Sequence, residues 1–207
     1  MTYLSVGFLK EIEFMLTQDI KAGDLILLSS NAPLAKPIQS RTGSIWSQVA
    51  LAIRDRNPFG NINLIEATQM PTCPDVHTNS IIQGVGIVRL EDKLQSFDGA
   101  IAHRALIPEL DEHKIEQLSQ FARTYHGMPY SCSGFCAIRA IRRRNPLSTY
   151  EAFFCSELVA AAYQFIGIIS QPPNGRSPSN YIPVDFTEEN EDVDWIGSAG
   201  LGQQNLF

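Results

Sequence analysis

The pattern of apolar and polar positions predicts a sheet of short strands. Residues 25–28 form an uninterrupted apolar run after a Lys-Ala-Gly-Asp turn, which is typical of a buried strand. Residues 46–53 alternate and predict a second strand, and residues 63–67 predict a third. The turn sequence Asn57–Asn61 between the second and third strands indicates a hairpin. Shorter strands are predicted at 86–90 and 100–106.

Helical periodicity is clearest in two places. Pro108 opens a helix that extends to about Tyr125, where Gly127 and Pro129 end it. Residues 155–167 show the strongest helical pattern, with apolar side chains on one face. Residues 93–97 predict a helical turn and residues 131–150 are compatible with helix, whereas residues 70–82 and the stretch around Pro33 and Pro37 predict loops. The mixture predicts an α+β fold.

These elements divide the chain of 207 residues into three parts. Residues 1–20 predict an N-terminal helical extension, with apolar side chains at helical spacing. Residues 21–187 form the predicted domain, a size that suits one hydrophobic core. Residues 188–207 are an acidic C-terminal tail, expected to wrap the domain and end in a mobile segment.

Composition and charge narrow the classes of partner. Hydrophobic residues make up 44% and charged residues 18%, which is ordinary for a globular protein. The formal net charge of −6 argues against nucleic acid or an anionic membrane surface as partner. No apolar run is long enough for an integral membrane segment, and no signal peptide is visible, so we expect a cytoplasmic protein. Nothing in the sequence indicates an oligomeric state.

The four cysteines predict no metal site. Cys132 and Cys136 are four residues apart, which is the wrong spacing for a zinc knuckle, and no second pair accompanies them. The chain also lacks a Gly-rich phosphate loop, so no cofactor is expected. The Arg139–Arg144 cluster is either a solvated face or a site for phosphate or an acidic partner.

Cys155 is different because a helical pattern begins with it. A cysteine at a helix N-terminus faces unpaired N–H groups and the positive end of the helix dipole, and both lower the pKa of a thiol. A thiolate in this position is a competent nucleophile. The alternative is a buried structural cysteine. The candidate bases are the four histidines, and no local pattern selects one of them: His77, His103, His113 and His126.

Three blocks of sequence together resemble a known family. They are residues 22–28 (AGDLILL), residues 46–53 (WSQVALAI) followed by 64–68 (LIEAT), and residues 127–130 (GMPY) followed by 154–159 (FCSELV). In this order they resemble the circularly permuted papain-like cysteine amidases and peptidases, the YiiX-like branch of the NlpC-type superfamily, which also includes relatives of lecithin:retinol acyltransferase. The resemblance implies a papain-like antiparallel sheet packed against helices.

The resemblance also implies roles for particular residues. Cys155 matches the nucleophile and Glu66 matches the polar residue that orients the base. The base itself is a histidine in the family, and Gln48 stands at its position. A glutamine amide has no useful basicity at neutral pH, although it can form hydrogen bonds. Trp46, Ser47, Tyr130 and Ser156 are the predicted substrate-binding residues, and the N–H groups near Cys155 and Ser156 are expected to stabilise an oxyanion.

Three functions are possible, and the glutamine decides between the first two. The first is a thiol-dependent hydrolase or acyltransferase that acts on a peptide, isopeptide or lipid acyl group through a Cys155 acyl-enzyme, with another base recruited or with Gln48 replacing a native histidine. The second is an inactive protein of the same fold that binds a peptide or acyl group. A third possibility is an interaction protein that uses the arginine cluster and the acidic tail.

Overall fold

The computed structural model describes residues 19–33, 35–54, 61–131 and 151–207. These ranges hold six strands: β1 (Leu25–Ser30), β2 (Gln48–Arg54), β3 (Ile62–Thr68), β4 (Gly84–Arg89), β5 (Gly99–Ile107) and β6 (Gly200–Leu206). They also hold four α-helices: α1 (Ala35–Thr42), α2 (Leu90–Ser96), α3 (Glu112–Tyr125) and α4 (Cys155–Phe165). The α+β class predicted from the sequence is confirmed.

The six strands form one antiparallel sheet in the order β4-β3-β2-β1-β5-β6. In the register of the central strands, Leu27 is opposite Val49, and Leu51 is opposite Ile65. Alternate residues of a strand point to opposite faces, so each central strand supplies apolar side chains to both sides of the sheet. This two-sided burial explains why β1 reads as a continuous apolar run.

One face of the sheet carries the main core. Val49, Leu51 and Ile65 pack there against α4, which is buried along nearly its whole length, and against the apolar side of α3. The opposite face carries a smaller core, where Ala50 and Leu64 pack with Leu90 of α2. Helix α4 and helix α2 therefore lie on opposite sides of β2 and β3.

Two details of the predicted elements were wrong. The stretch around Pro33 and Pro37 contains helix α1, because Pro37 is the third residue of the helix, where no intrahelical N–H bond is lost. The chain end is not a mobile segment, because β6 pairs with β5 and completes the sheet. Buried Arg104 of β5 holds this end by donating to the carbonyl oxygens of Gly202 and Phe186 at 2.9 and 3.0 Å.

Several sequence predictions concern residues outside the described ranges. They are most of the N-terminal helical extension (residues 1–18), the hairpin turn (residues 55–60) and the segment 132–150 with its two cysteines and the Arg139–Arg144 cluster. Within the described ranges, no helix has both the length and the apolar character needed to cross a bilayer.

Candidate functional site

Glu66 of β3 is the centre of a buried polar group. Its side chain is only 1% exposed, yet both carboxylate oxygens have donors. The Nε2 atom of Gln48 on β2 donates to Oε2 at 2.9 Å. The ammonium of Lys93 on α2 lies 2.9 Å from Oε1 and 2.7 Å from Oε2. The structure thus brings Gln48 and Glu66 together, as the resemblance implied, and adds a cation.

Local geometry explains why these three side chains meet. Gln48 and Glu66 lie on the same sheet face as Ala50 and Leu64, which are neighbours of the same parity on their strands. Helix α2 covers that face, and Lys93 is three residues beyond Leu90, so both project toward the sheet. Lys93 is also 1% exposed, and its Nζ atom lies 5.4 Å from the centre of the Phe97 ring.

Sequence reasoning did not find Lys93. The signal was present: the lysine stands at helical spacing from a core leucine, and Glu66 interrupts an otherwise apolar strand. A buried charge requires a partner of opposite charge, so Lys93 and Glu66 could have been predicted to form a pair.

Cys155 lies at the first position of α4, as predicted, but its environment opposes ionisation. The side chain is 5% exposed, and burial raises the pKa of the Cys155 thiol to about 11. Backbone N–H groups of Val49, Ser156 and Cys155 itself act in the opposite direction, while the negative charge of Glu66 adds to the rise. The N–H groups of the helix start lower the pKa of the thiol as expected, but desolvation outweighs them, so the expected net lowering of this pKa was wrong.

The thiol lies near the Gln48–Glu66 pair but forms no hydrogen bond with the Gln48 side chain among the described residues. Cys155 belongs to the helix on one face of the sheet, whereas the Gln48 side chain lies on the other. The contact with the Val49 N–H places the sulfur beside the start of β2, one residue from Gln48. Among the hydrogen bonds of the described residues, none joins Cys155 to the Gln48 side chain.

Three of the four predicted substrate-binding side chains serve the fold. Trp46 is 2% exposed and belongs to the main core. Ser47 is buried, with its hydroxyl 3.4 Å from the Leu28 carbonyl oxygen and accepting from the Ser30 N–H. Ser156 is fully buried and donates to the Tyr181 carbonyl oxygen at 2.8 Å. Tyr130 is half-buried against the main core and is joined by a β-bridge to Phe153, two residues before the cysteine.

The histidines have other partners. Nε2 of His103 lies 2.8 Å from Asp24, and Nε2 of His126 lies 2.8 Å from Asp75. His77 packs edge-on against the His126 ring, with 5.2 Å between ring centres. His113 is exposed in the first turn of α3. Among the hydrogen bonds of the described residues, none joins a histidine ring to Cys155.

The described residues include no group of three or more His, Cys, Asp or Glu side chains that could hold a metal ion. The site combines the Cys155 thiol beside the start of β2, the amide of Gln48, and the buried carboxylate of Glu66 with its lysine partner.

Comparison with known proteins finds similarity among solved structures alone. No protein-family model matches the sequence, and no curated protein matches it. The fold is similar to the crystal structure of a protein described as the metalloprotein yiiX from Escherichia coli O157:H7, DUF1105, with a TM-score of 0.50 and 22% sequence identity. The match covers 70% of this chain and 64% of yiiX, so this chain spans less than two thirds of the length of yiiX. The likeness is consistent with a papain-like fold.

Proposed function

We propose that this chain is a papain-like domain that binds a peptide or acyl group beside Cys155 and, with glutamine at position 48, does not hydrolyse or transfer it. The observation that carries the proposal is the hydrogen bond from Gln48 Nε2 to Glu66. The amide fills the place of a general base and donates to the carboxylate that would orient that base. It has no basic atom to take the proton of the Cys155 thiol.

The ionisation of the thiol supports the same conclusion. With a pKa of about 11, about one thiol in 10⁴ is ionised at pH 7. The thiolate is the nucleophile, so unassisted attack would be slow by the same factor. Even after attack, a leaving amine would still need a proton donor, and Gln48 cannot cycle between donor and acceptor of a proton.

A second function has one observation in its favour. The sulfur of Cys155 is surrounded by N–H groups of the strand and of the helix start, and such donors also stabilise an oxyanion. Burial raises the pKa of the thiol. If ligand binding reduces that burial, these N–H donors favour the thiolate. A thiol-dependent hydrolase or acyltransferase with an acyl-enzyme on Cys155 is therefore the alternative.

Restoring a base separates the two functions. The protein is mixed with an activated aryl ester at pH 7, and the acyl group on Cys155 is quantified by mass spectrometry of the intact chain and its peptides. We expect no Cys155 acylation above background in the wild type. We expect Gln48→His to acylate at least about a hundredfold faster, because a positioned general base contributes roughly 10²–10⁴-fold.

The matched control is Gln48→Asn, which keeps an amide and adds no base. Gln48→His combined with Cys155→Ser should lose the gain. Rapid Cys155 acylation by the wild type, equal to that of Gln48→His, would contradict the proposal and establish the hydrolase or acyltransferase.

A further inference from the structure

Arg176 faces three carboxylates of the C-terminal part of the chain. Its Nε atom lies 3.1 Å from Asp194 Oδ2, and its backbone N–H donates to the same oxygen at 2.9 Å. Its guanidinium nitrogens also lie 3.3 Å from Asp192 Oδ1 and 3.6 Å from Asp185 Oδ2. Three acidic side chains thus converge on one guanidinium group, and their like charges repel when all three are ionised. We refer to residues 176–194, which contain this group, as the strap.

The strap is held against helix α4. In the first turn of the helix, the Ser156 hydroxyl donates to the Tyr181 carbonyl oxygen at 2.8 Å. In the last turn, Gln164 Nε2 donates to the Arg176 carbonyl oxygen, also at 2.8 Å. Tyr181 and Phe186 are fully buried in the main core. The strap is therefore attached to α4 near both ends of the helix, including the turn that carries the cysteine.

Asp185 differs from the other two aspartates in its surroundings. Its side chain has no exposed surface, whereas Asp192 and Asp194 are 54% and 32% exposed. Its Oδ2 atom accepts from the Ile182 N–H at 2.9 Å. Burial raises the pKa of Asp185 to about 7, and the charges of Asp192 and Asp194 add to this rise, while the Ile182 N–H and the nearby guanidinium act in the opposite direction. Asp185 is therefore a buried carboxyl that changes charge near neutral pH.

Other charged groups lie on the strap and on the elements around it. Glu191 is 2.7 Å from Arg104 of β5. Further groups are Glu188 and Glu189 beside β6, Glu157 of α4 and Arg54 of β2. The Tyr181 hydroxyl donates to Asp194 Oδ2 at 2.7 Å, and burial raises the pKa of Tyr181, so the tyrosine stays neutral. Burial also acts to raise the pKa of Asp194, but hydrogen bonds from Arg176 and Tyr181 lower it, so Asp194 remains an anion.

We propose that the strap is a pH-sensitive latch, which is held on α4 while Asp185 is protonated and loosens when Asp185 ionises, because the new charge joins those of its two neighbours around Arg176. The direction follows from linkage. A carboxyl whose pKa is higher in the folded chain than in the unfolded chain stabilises the folded form most below its unfolded pKa, and this contribution is lost as pH rises through about 7. The latch goes beyond the proposed function, since it operates with or without a ligand beside the cysteine.

Hydrogen–deuterium exchange of the full chain measures the latch. Exchange of peptides from residues 176–187 is followed by mass spectrometry from pH 6 to pH 8, and each rate is divided by the intrinsic rate of an unfolded peptide at the same pH. If opening returns Asp185 to its unfolded pKa, a folded pKa of about 7 predicts that protection of the strap falls by about tenfold over this range. Peptides from α3, which is outside the strap, should keep their protection.

Variants assign the fall to Asp185. Asp185→Asn removes the ionisable group and keeps an oxygen that can accept the Ile182 N–H, so strap protection should change by less than about twofold from pH 6 to pH 8. Asp98→Asn makes the same chemical change at an exposed aspartate outside the strap and should retain the fall of about tenfold. If Asp185→Asn does not fold, Asp185→Ser, which also lacks a charge, takes its place.

Strap protection that is constant or rises between pH 6 and pH 8 in the wild type would overturn the inference. A fall of the wild-type size in the folded Asp185 variant would also overturn it. So would an equal fall in α3, because it would mean that the whole domain loses stability. None of these results involves Cys155 or a ligand, so the latch and the proposed function stand or fall separately.

Discussion

Two of the buried carboxylates in the described residues have the same exposure but different partners. Glu66 and Asp75 are each 1% exposed. Asp75 accepts from the Ile87 N–H at 2.9 Å and from the ring of His126 at 2.8 Å. Glu66 accepts from an amide and a lysine. Asp75 and His126 form a carboxylate–imidazole pair that joins the loop before β4 to the end of α3.

The comparison shows that the partners of each buried carboxylate, rather than its burial, set its chemistry. Burial alone would raise the pKa of Asp75, but hydrogen bonds from Ile87, His126 and Thr78 bring it to about 2. This carboxylate is stabilised as an anion without a permanent cation. Glu66 is instead paired with the Lys93 ammonium, and the Gln48 amide beside it has no acid–base activity near neutral pH. An amide beside a carboxylate that is paired with lysine offers no group to transfer a proton, in keeping with the proposed function.

The largest expected effect comes from breaking the lysine–carboxylate pair. Glu66→Gln leaves the Lys93 ammonium buried without an anion, which should lower the free energy of unfolding by about 3–5 kcal/mol. Chemical denaturation at pH 7 measures the loss. Glu66→Gln/Lys93→Met removes both charges and should recover most of it. A single variant as stable as the wild type would mean that the ammonium reaches solvent or another partner.

A smaller effect is expected in the pH dependence of stability, where Asp75 should make its own contribution. The pKa of Asp75 is lower in the folded chain than in the unfolded chain. Its contribution to the free energy of unfolding is therefore present above pH 4 and is lost as pH falls toward 2. The shift from 3.8 to about 2 corresponds to about 2 kcal/mol. Denaturation curves between pH 5 and 2 measure it. Asp75→Asn should have a flatter acid limb than the wild type, and equal slopes would contradict the assignment.

The smallest effect is expected at His77. It packs edge-on against His126 but lies on the exposed side of the pair, and its backbone N–H rather than its ring bonds to Asp75. His77→Ala should change the free energy of unfolding by less than about 0.5 kcal/mol at pH 7. Denaturation at pH 7 checks this value, and a loss above about 2 kcal/mol would show that the loop depends on the second imidazole.

The sequence was sufficient for the parts of the fold that depend on local pattern. The apolar run of β1, the alternation of β2 and the amphipathic α3 each appear close to their predicted positions because side-chain periodicity determines which face is buried. Strand β6 was missed, since Gly200–Leu206 is mostly polar and forms a strand by pairing with β5. Tertiary pairing, which local propensity does not report, decided that segment.

The contact between Gln48 and Glu66 was predictable from the sequence, but the electrostatics around them were not. The pairing of Gln48 with Glu66 followed from the resemblance, and the start of a helix at Cys155 followed from the pattern. The raised thiol pKa did not follow, because it depends on how completely α4 and the sheet exclude water from the sulfur. Lys93 escaped notice for a similar reason: its role arises from a contact between residues 27 positions apart.

The most direct test of the account is the pH dependence of Cys155 alkylation in the wild-type protein. Peptide mass spectrometry follows the rate at this cysteine alone from pH 6 to pH 10 with iodoacetamide. A thiol with a pKa of about 11 predicts a rate that rises about tenfold per pH unit across the whole range, without a plateau. A plateau reached below pH 8 would contradict the account, because it would mean that the cysteine is ionised and ready to attack.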